Sequence, residues 1–116
     1  MPFNFEDLKI YQRALDLVDA VYDATRKFPS HELYALTSQL RRSIISITLN
    51  IAEGTGRTKK DFCHFLDMAR TSAYESVACL TIALRQGYIS KELYDKFYQE
   101  LNELVRMING LKQKLQ

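Results

Sequence analysis

The stretch Gln39–Asp61, QLRRSIISITLNIAEGTGRTKKD, decides the fold. It opens on a double arginine, runs through a nearly all-round apolar helix, closes on Asn-Ile-Ala-Glu-Gly, turns at Gly-Thr-Gly-Arg and starts a new helix. At about 100° per residue, Leu40, Ile44, Ile47 and Ile51 share one side of the first of these helices, the side that faces a core. Ile45, Thr48, Leu49 and Ala52 fall on the neighbouring flank. Together the two sets cover roughly 200°, where a helix in a monomeric bundle needs little more than ~100°. Two readings follow. Either the helix is buried deeply between both neighbours, or Ile45, Leu49 and Ala52 form a second contact surface, between subunits.

The same spacing argument extends outward. Before this stretch, Leu8, Tyr11, Leu15, Val18, Tyr22 and Thr25 alternate at three and four, which predicts a helix from about Glu6. Glu6 and Asp7 at its start and Arg26 and Lys27 at its end suit the helix dipole. Pro29 ends it, because a residue before proline is pushed out of the helical region. The second helix starts between Ser30 and Thr37, with Leu33 and Leu36 or Thr37 leading its stripe, and is expected to end at Gly54 as a left-handed cap. Thr58 and Asp61 have the form of a capping box for a third helix. Its inward positions are Phe62, Phe65 or Leu66, Ala69, Ala73, Ser76 or Val77, Leu80 and Leu84. The small residues Ala69, Ser72, Ala73 and Ser76 let another helix approach closely, and Gly87 stops this one. Ser90 caps a fourth helix with Tyr94, Phe97, Leu101, Leu104, Ile108, Leu111 and Leu115 inward. Four helices of about twenty residues or more on short loops predict an all-α, antiparallel up-down-up-down four-helix bundle, residues 1–116 as one domain.

Composition agrees. Four glycines and two prolines in 116 residues favour long helices over many strands. Cys63 and Cys79 lie sixteen residues apart in one predicted helix, about 24 Å along its axis, so they cannot form an intrachain disulfide, which needs Cα atoms within about 7 Å. Free thiols fit a reducing cytoplasm. The segment MPFNFEDLKIYQ lacks a cationic leader and an apolar core and is not expected to be a signal peptide. No window approaches the uninterrupted apolar length of a membrane span.

The net charge of +2 implies no particular partner, but its distribution is uneven. Residues 38–70 carry six Lys/Arg against three Asp/Glu, whereas residues 1–37 carry four against six. Arg41 and Arg42 lie beside the second flank. Arg57, Lys59 and Lys60 gather at the start of the third helix, where the dipole disfavours cations and free amides favour an anion. These five residues are the candidate contacts to nucleic acid or another anion. Asn50 and Glu53 are polar residues near the end of an apolar helix and, if buried, need partners. Arg70 and Glu75 are the candidates, in a structural role, with Gly54 and Gly56 shaping the turn.

Catalytic chemistry finds no foothold. His31 and His64 are the only histidines, and no Glu-x-x-His pair marks a di-iron bundle. Gly54-Thr55-Gly56-Arg57 lacks the spacing and Lys-Ser/Thr ending of a phosphate loop. No catalytic residue, metal site or cofactor is expected. Seven tyrosines and six phenylalanines offer rings for base stacking, but most sit on the predicted core stripes.

LTSQLRRS at 36–43, NIAEGTGR at 50–57, the Phe62–Glu75 run with its Ala69-Arg70 step, the F-x-D-L-x-x-Y-Q-R-A segment at Phe5–Ala14 and the GYIS turn at Gly87–Ser90 resemble a known family. It comprises bacterial four-helix-bundle proteins encoded within intervening sequences of 23S ribosomal RNA genes. The resemblance covers nearly the whole chain, and its most specific part is the N-I-A-E-G-x-G-R run. It implies homopentamers of antiparallel bundles. The accessory protein of diversity-generating retroelements is similar in fold and assembly and is implicated in binding nucleic acid and a reverse transcriptase. Two departures stand out: Thr48, where the family often has a helix-kinking proline, and Tyr11, where it often has tryptophan. The leading expectation is a non-enzymatic oligomer that binds structured RNA or DNA through its basic surface. The alternative is a ring that acts as a protein-binding adaptor, with no nucleic-acid role.

Overall fold

The computed structural model describes residues 3–116. Four helices account for most of them: α1 (Lys9–Thr25), α2 (Leu36–Thr55), α3 (Lys59–Arg85) and α4 (Lys91–Leu115). Short 3₁₀ turns at Asn4–Asp7 and Ser30–Glu32 precede α1 and α2. No strand occurs among the described residues. The helices lie lengthwise around one core in a body of 42 × 23 × 21 Å.

The core stripe of α2 is as the spacing predicts. Leu40, Ile44, Ile47 and Ile51 are fully buried. Each such side chain contributes roughly 1.5–3 kcal/mol of burial. Opposite them stand Leu66, Ala69, Ala73 and Leu80 of α3 and Phe97, Leu101, Leu104 and Ile108 of α4, all buried. The predicted caps of both helices form: Thr58 Oγ1 accepts the Asp61 amide at 3.2 Å, and Ser90 Oγ accepts the Leu93 amide at 3.1 Å.

Helix α1 departs from its predicted stripe by one residue, about 100° of rotation. Its buried residues are Ile10, Ala14, Leu17, Val21 and Thr25. Tyr11, Val18 and Tyr22 are only half covered, and Leu15 is 39% exposed. Both series alternate at three and four, so periodicity alone does not separate them. The small Ala14 allows close packing, while the bulkier neighbouring series is left on the flank. The helix also starts at Lys9, because Leu8 is extended at φ −75°, ψ 131°. Glu6 and Asp7 therefore sit in the preceding 3₁₀ turn, and Arg26 and Lys27 lie past the last helical turn.

The end of α2 also differs from expectation. Gly54 is buried inside the helix and is not left-handed; Gly87, at φ 80°, is the glycine with positive φ. A Cβ on Gly54 would stand 2.6 Å from Phe62 Cδ1 and 2.9 Å from Phe65 Cβ. Glycine is needed there so that the first turns of α3 can close against α2. The helix ends at Thr55, and Gly56 at φ −85° serves as its cap. At the helix start, Leu33 is exposed and Thr37 takes the buried position.

Between α2 and α3 runs a polar seam of small side chains. Ser43 Oγ meets Ser76 Oγ at 2.8 Å, and Ser72 Oγ donates to Ser46 Oγ at 3.0 Å. Residue numbers rise along α2 as they fall along α3. The same order holds across α3 and α4, where Thr81 meets Tyr94 and Arg70 meets Asn109. Each helix touches its neighbours in sequence, and α1 returns to α4 along a sparser contact. That last seam leaves a cleft of about 730 Å³ over Ala20, Ala24, Leu93 and Phe97. At one end, Tyr88 donates its hydroxyl to Glu32 at 2.8 Å, tying the α3–α4 connection to the α1–α2 connection. This bond to a carboxylate raises the Tyr88 pKa above the ordinary phenol value.

Candidate nucleic-acid interface

The turn that joins α2 to α3 presents three cations. The Arg57 amide donates to Gly54 O at 3.2 Å, which closes the turn. The Arg57 guanidinium lies 5.0 Å from the centre of the Phe65 ring, an arrangement that favours a cation over the ring face. Lys59 and Lys60 follow in the first turn of α3. All three are exposed, and none forms an ion pair among the described residues. The turn and the helix start thus place three cations close in sequence to the free amides of a helix N-terminus.

The other arginine pair is elsewhere. Arg42 lies thirteen residues before the end of α2 at Thr55, about 20 Å along its axis, with Arg57 beyond that end. Arg41 is held by its own neighbours: its Nε donates to Thr25 Oγ1 at 2.9 Å, and its guanidinium stands 4.6 Å from the Tyr22 ring centre. Thr25 Oγ1 in turn donates to Val21 O at 2.7 Å. Arg41 therefore fastens α2 to α1, and Arg42 beside it is exposed. The five sequence candidates divide into two places, near opposite ends of α2.

Asn50 and Glu53 do not pair with Arg70 and Glu75. Asn50 is buried, and its Nδ2 donates to Ser46 O at 2.9 Å and to Ser46 Oγ at 3.1 Å. It thereby joins the serine seam. Glu53 and Glu75 are exposed. Arg70 turns toward α4, donating to Asn109 Oδ1 at 3.2 Å and pairing with Asp67 at 3.2 Å. Asp67 also takes Lys112 of α4 at 2.7 Å. That ammonium hydrogen bond holds the Asp67 carboxyl below its ordinary pKa, and the Arg70 charge adds to it. The cause of the mismatch is geometric: an exposed helix end leaves Glu53 in water, where it needs no partner.

The flank Ile45, Leu49 and Ala52 is open. Leu49 is 57% exposed, and Ile45 and Ala52 are partly covered. Leu15, Val18 and Tyr22 of α1 continue this surface, with Val18, Tyr22 and Ile45 bordering a common hollow. Thr48 on the same flank is buried, and its Oγ1 finds no hydrogen-bond partner among the described residues.

Several residues escaped the sequence reading. The serine seam was legible only as small residues. Tyr11, Tyr22 and Tyr94, expected on core stripes, are only partly buried, and Tyr34, Tyr74 and Tyr98, which the stripes did not include, are exposed. A phenol hydroxyl keeps its ring near water, and that preference is a signal the spacing did not weigh.

The chemical inventory is thin. Among the described residues no group of three or more His, Cys, Asp or Glu side chains could hold a metal. Cys79 is buried, which raises its thiol pKa and keeps it protonated. No helix among the described residues is long and apolar enough to cross a membrane.

Comparisons with known proteins fit this geometry. A crystal structure of a protein of unknown function from the S23 ribosomal protein family of Bacteroides thetaiotaomicron aligns with a TM-score of 0.82 at 21% identity. The alignment covers 89% of this chain and 97% of that one. At such identity the likeness carries the fold alone. No curated protein matches the chain. The family model described as 23S rRNA-intervening sequence protein matches residues 6–110. The chain belongs to the 23S rRNA-intervening sequence protein family.

Proposed function

We propose that this chain is a non-enzymatic, oligomeric protein that binds structured RNA or DNA through a basic surface. The observation that carries the reading is the α2–α3 turn, where Arg57, Lys59 and Lys60 are exposed and have no carboxylate partner among the described residues. Arg42 adds a second, separate cation, beside the Arg41 that fastens α2 to α1. The helices are read as an antiparallel up-down-up-down bundle that repeats as a homopentamer, which the family resemblance implies. The open flank at Ile45, Leu49 and Ala52 supplies the apolar surface such an assembly needs. Symmetry then multiplies a weak cationic site, and several weak contacts on one ligand give avidity that one cannot. No catalytic residue or cofactor is assigned, and the free thiols suit the cytoplasm.

The test is a gel-shift titration with a hairpin RNA at low salt. Replacing Arg57, Lys59 and Lys60 together by Ala should weaken binding at least tenfold, because removing phosphate contacts lowers affinity regardless of sequence. Unchanged binding by the triple variant would reject the α2–α3 turn as the site. A second reading, a protein-binding adaptor, draws on Tyr34, which is 93% exposed beside the exposed Leu33. It predicts a protein partner whose capture survives nuclease treatment and is lost on Tyr34→Ala.

A further inference from the structure

The seam between α1 and α4 is packed more sparsely than the seams between successive helices. Its cleft of about 730 Å³ is floored by Ala20 and Ala24 of α1 and by Leu93 and Phe97 of α4. Phe97 is 2% exposed, so this floor is continuous with the core. Protein interiors are ordinarily close-packed, and here two small alanines leave an apolar seam open. Its volume falls within the roughly 300–1,000 Å³ of small-ligand sites, which combine an apolar lining with a few placed polar groups.

The charged side chains that line the cleft are Asp23, Arg26 and Lys27 around the end of α1, and Lys96 and Glu100 on α4. Asp23 and Arg26 pair with each other. Lys27 and Lys96 are exposed and form no ion pair among the described residues. Glu100 is the remaining acid, and it also lines the next hollow along the seam, with Arg13, Asp16 and Leu17. Residue numbers thus fall along α1 as they rise along α4, which puts Glu100 at the far end of the cleft from Lys27. Ser90 lies at the Lys27 end. Its Oγ accepts the Leu93 amide and keeps its own hydrogen free to donate. The Tyr88 hydroxyl beside it is already engaged with Glu32.

The cleft therefore has a cationic end with a free donor, an apolar floor and a far end that carries Asp16 and Glu100 against Arg13. A ligand of matching polarity has an anionic head and a linear apolar chain. Three lining cations against two lining carboxylates leave a net charge of +1, which suits one carboxylate better than a polyanion. We propose that the α1–α4 cleft binds a free medium-chain carboxylate, its head on Lys27 and Ser90 and its chain along Ala24, Leu93, Ala20 and Phe97. From Ser90 to Phe97 the α4 axis rises about 10 Å, floor for a chain of about eight carbons. Lys96 adds an ammonium along the path, its stem free to lie over the chain. This inference goes beyond the nucleic-acid reading and uses none of its residues, so the two fail separately.

The test is isothermal titration calorimetry with sodium decanoate, kept below its micelle concentration. One decanoate per chain is expected. Octanoate should bind roughly tenfold more weakly, because two methylenes leave the floor. Decanol and decyltrimethylammonium, which keep the chain but carry no charge or the opposite one, should both bind more weakly than decanoate. Lys27→Ala should weaken decanoate binding about twofold to fivefold, the worth of one exposed ion pair. Lys27→Glu, a change at an exposed position, should shift the preference toward decyltrimethylammonium. Ala24→Leu places a side chain in the open volume and should abolish decanoate binding, with the fold kept by circular dichroism and hairpin RNA binding unchanged. Undetectable decanoate binding in the wild type, equal binding of decanoate and decyltrimethylammonium, or a preference that Lys27→Glu does not move overturns the proposal. So does full decanoate binding by a folded Ala24→Leu variant, or an Ala24→Leu variant whose molar mass in light scattering differs from wild type, which would make the cleft a subunit contact.

Discussion

Gly54 shows how one missing Cβ sets the distance between two helices. Gly54→Ala places a methyl group against the Phe62 ring and Phe65 Cβ, at 2.6 Å and 2.9 Å. Overpacking of this kind costs about 1–3 kcal/mol, and the better helix propensity of alanine returns roughly 1. A net loss of up to about 2 kcal/mol in urea denaturation is expected; a midpoint above wild type would contradict the close-approach role. Asp67 gives a pH dependence of known sign. Lys112 and Arg70 favour its ionised form, so its folded pKa lies below the ordinary 3.8. Its stabilisation is complete above that value and is lost as pH falls through the depressed folded pKa. The pair is partly exposed, at 23% and 38% of the side-chain surface, so screening limits it to a few tenths of a kcal/mol. Asp67→Asn should be slightly less stable than wild type at neutral pH, and the gap should vanish in acid. A gap that persists in acid would place the effect outside this ion pair.

Among the helices, α2, α3 and α4 were legible because each has one dominant apolar stripe. Leu40-Ile44-Ile47-Ile51 and Phe97-Leu101-Leu104-Ile108 have no rival at the same spacing. Helix α1 carries two interleaved series, and the bulkier one drew the sequence reading to the wrong face. What decides between them is the close packing of Ala14, a tertiary fact. The end of α2 was misread for a related reason: glycine serves either a left-handed cap or a close approach, and the sequence motif is the same. The candidate site was legible as composition, since the cations at Arg57, Lys59 and Lys60 were visible. Its division was not, because the side chains that hold Arg41 come from α1, sixteen and more residues away.

At the scale of the molecule, the single chain leaves apolar surface on the flank of α1 and α2. Leu49 is 57% exposed, so Leu49→Asp should leave the folded monomer intact while disrupting assembly. Light scattering on a gel-filtration peak should report a multiple of the 13.5 kDa chain for the wild type and 13.5 kDa for the variant. A wild-type monomer at micromolar concentration would reject the flank as a subunit contact. Binding to nucleic acid is the central claim, and its most direct measurement is the affinity of the wild-type protein for a ribosomal RNA fragment at two salt concentrations. The account predicts measurable binding at low salt that falls steeply as salt rises, with a slope set by the phosphates neutralised. No detectable binding at low salt, or an affinity indifferent to salt, would contradict it.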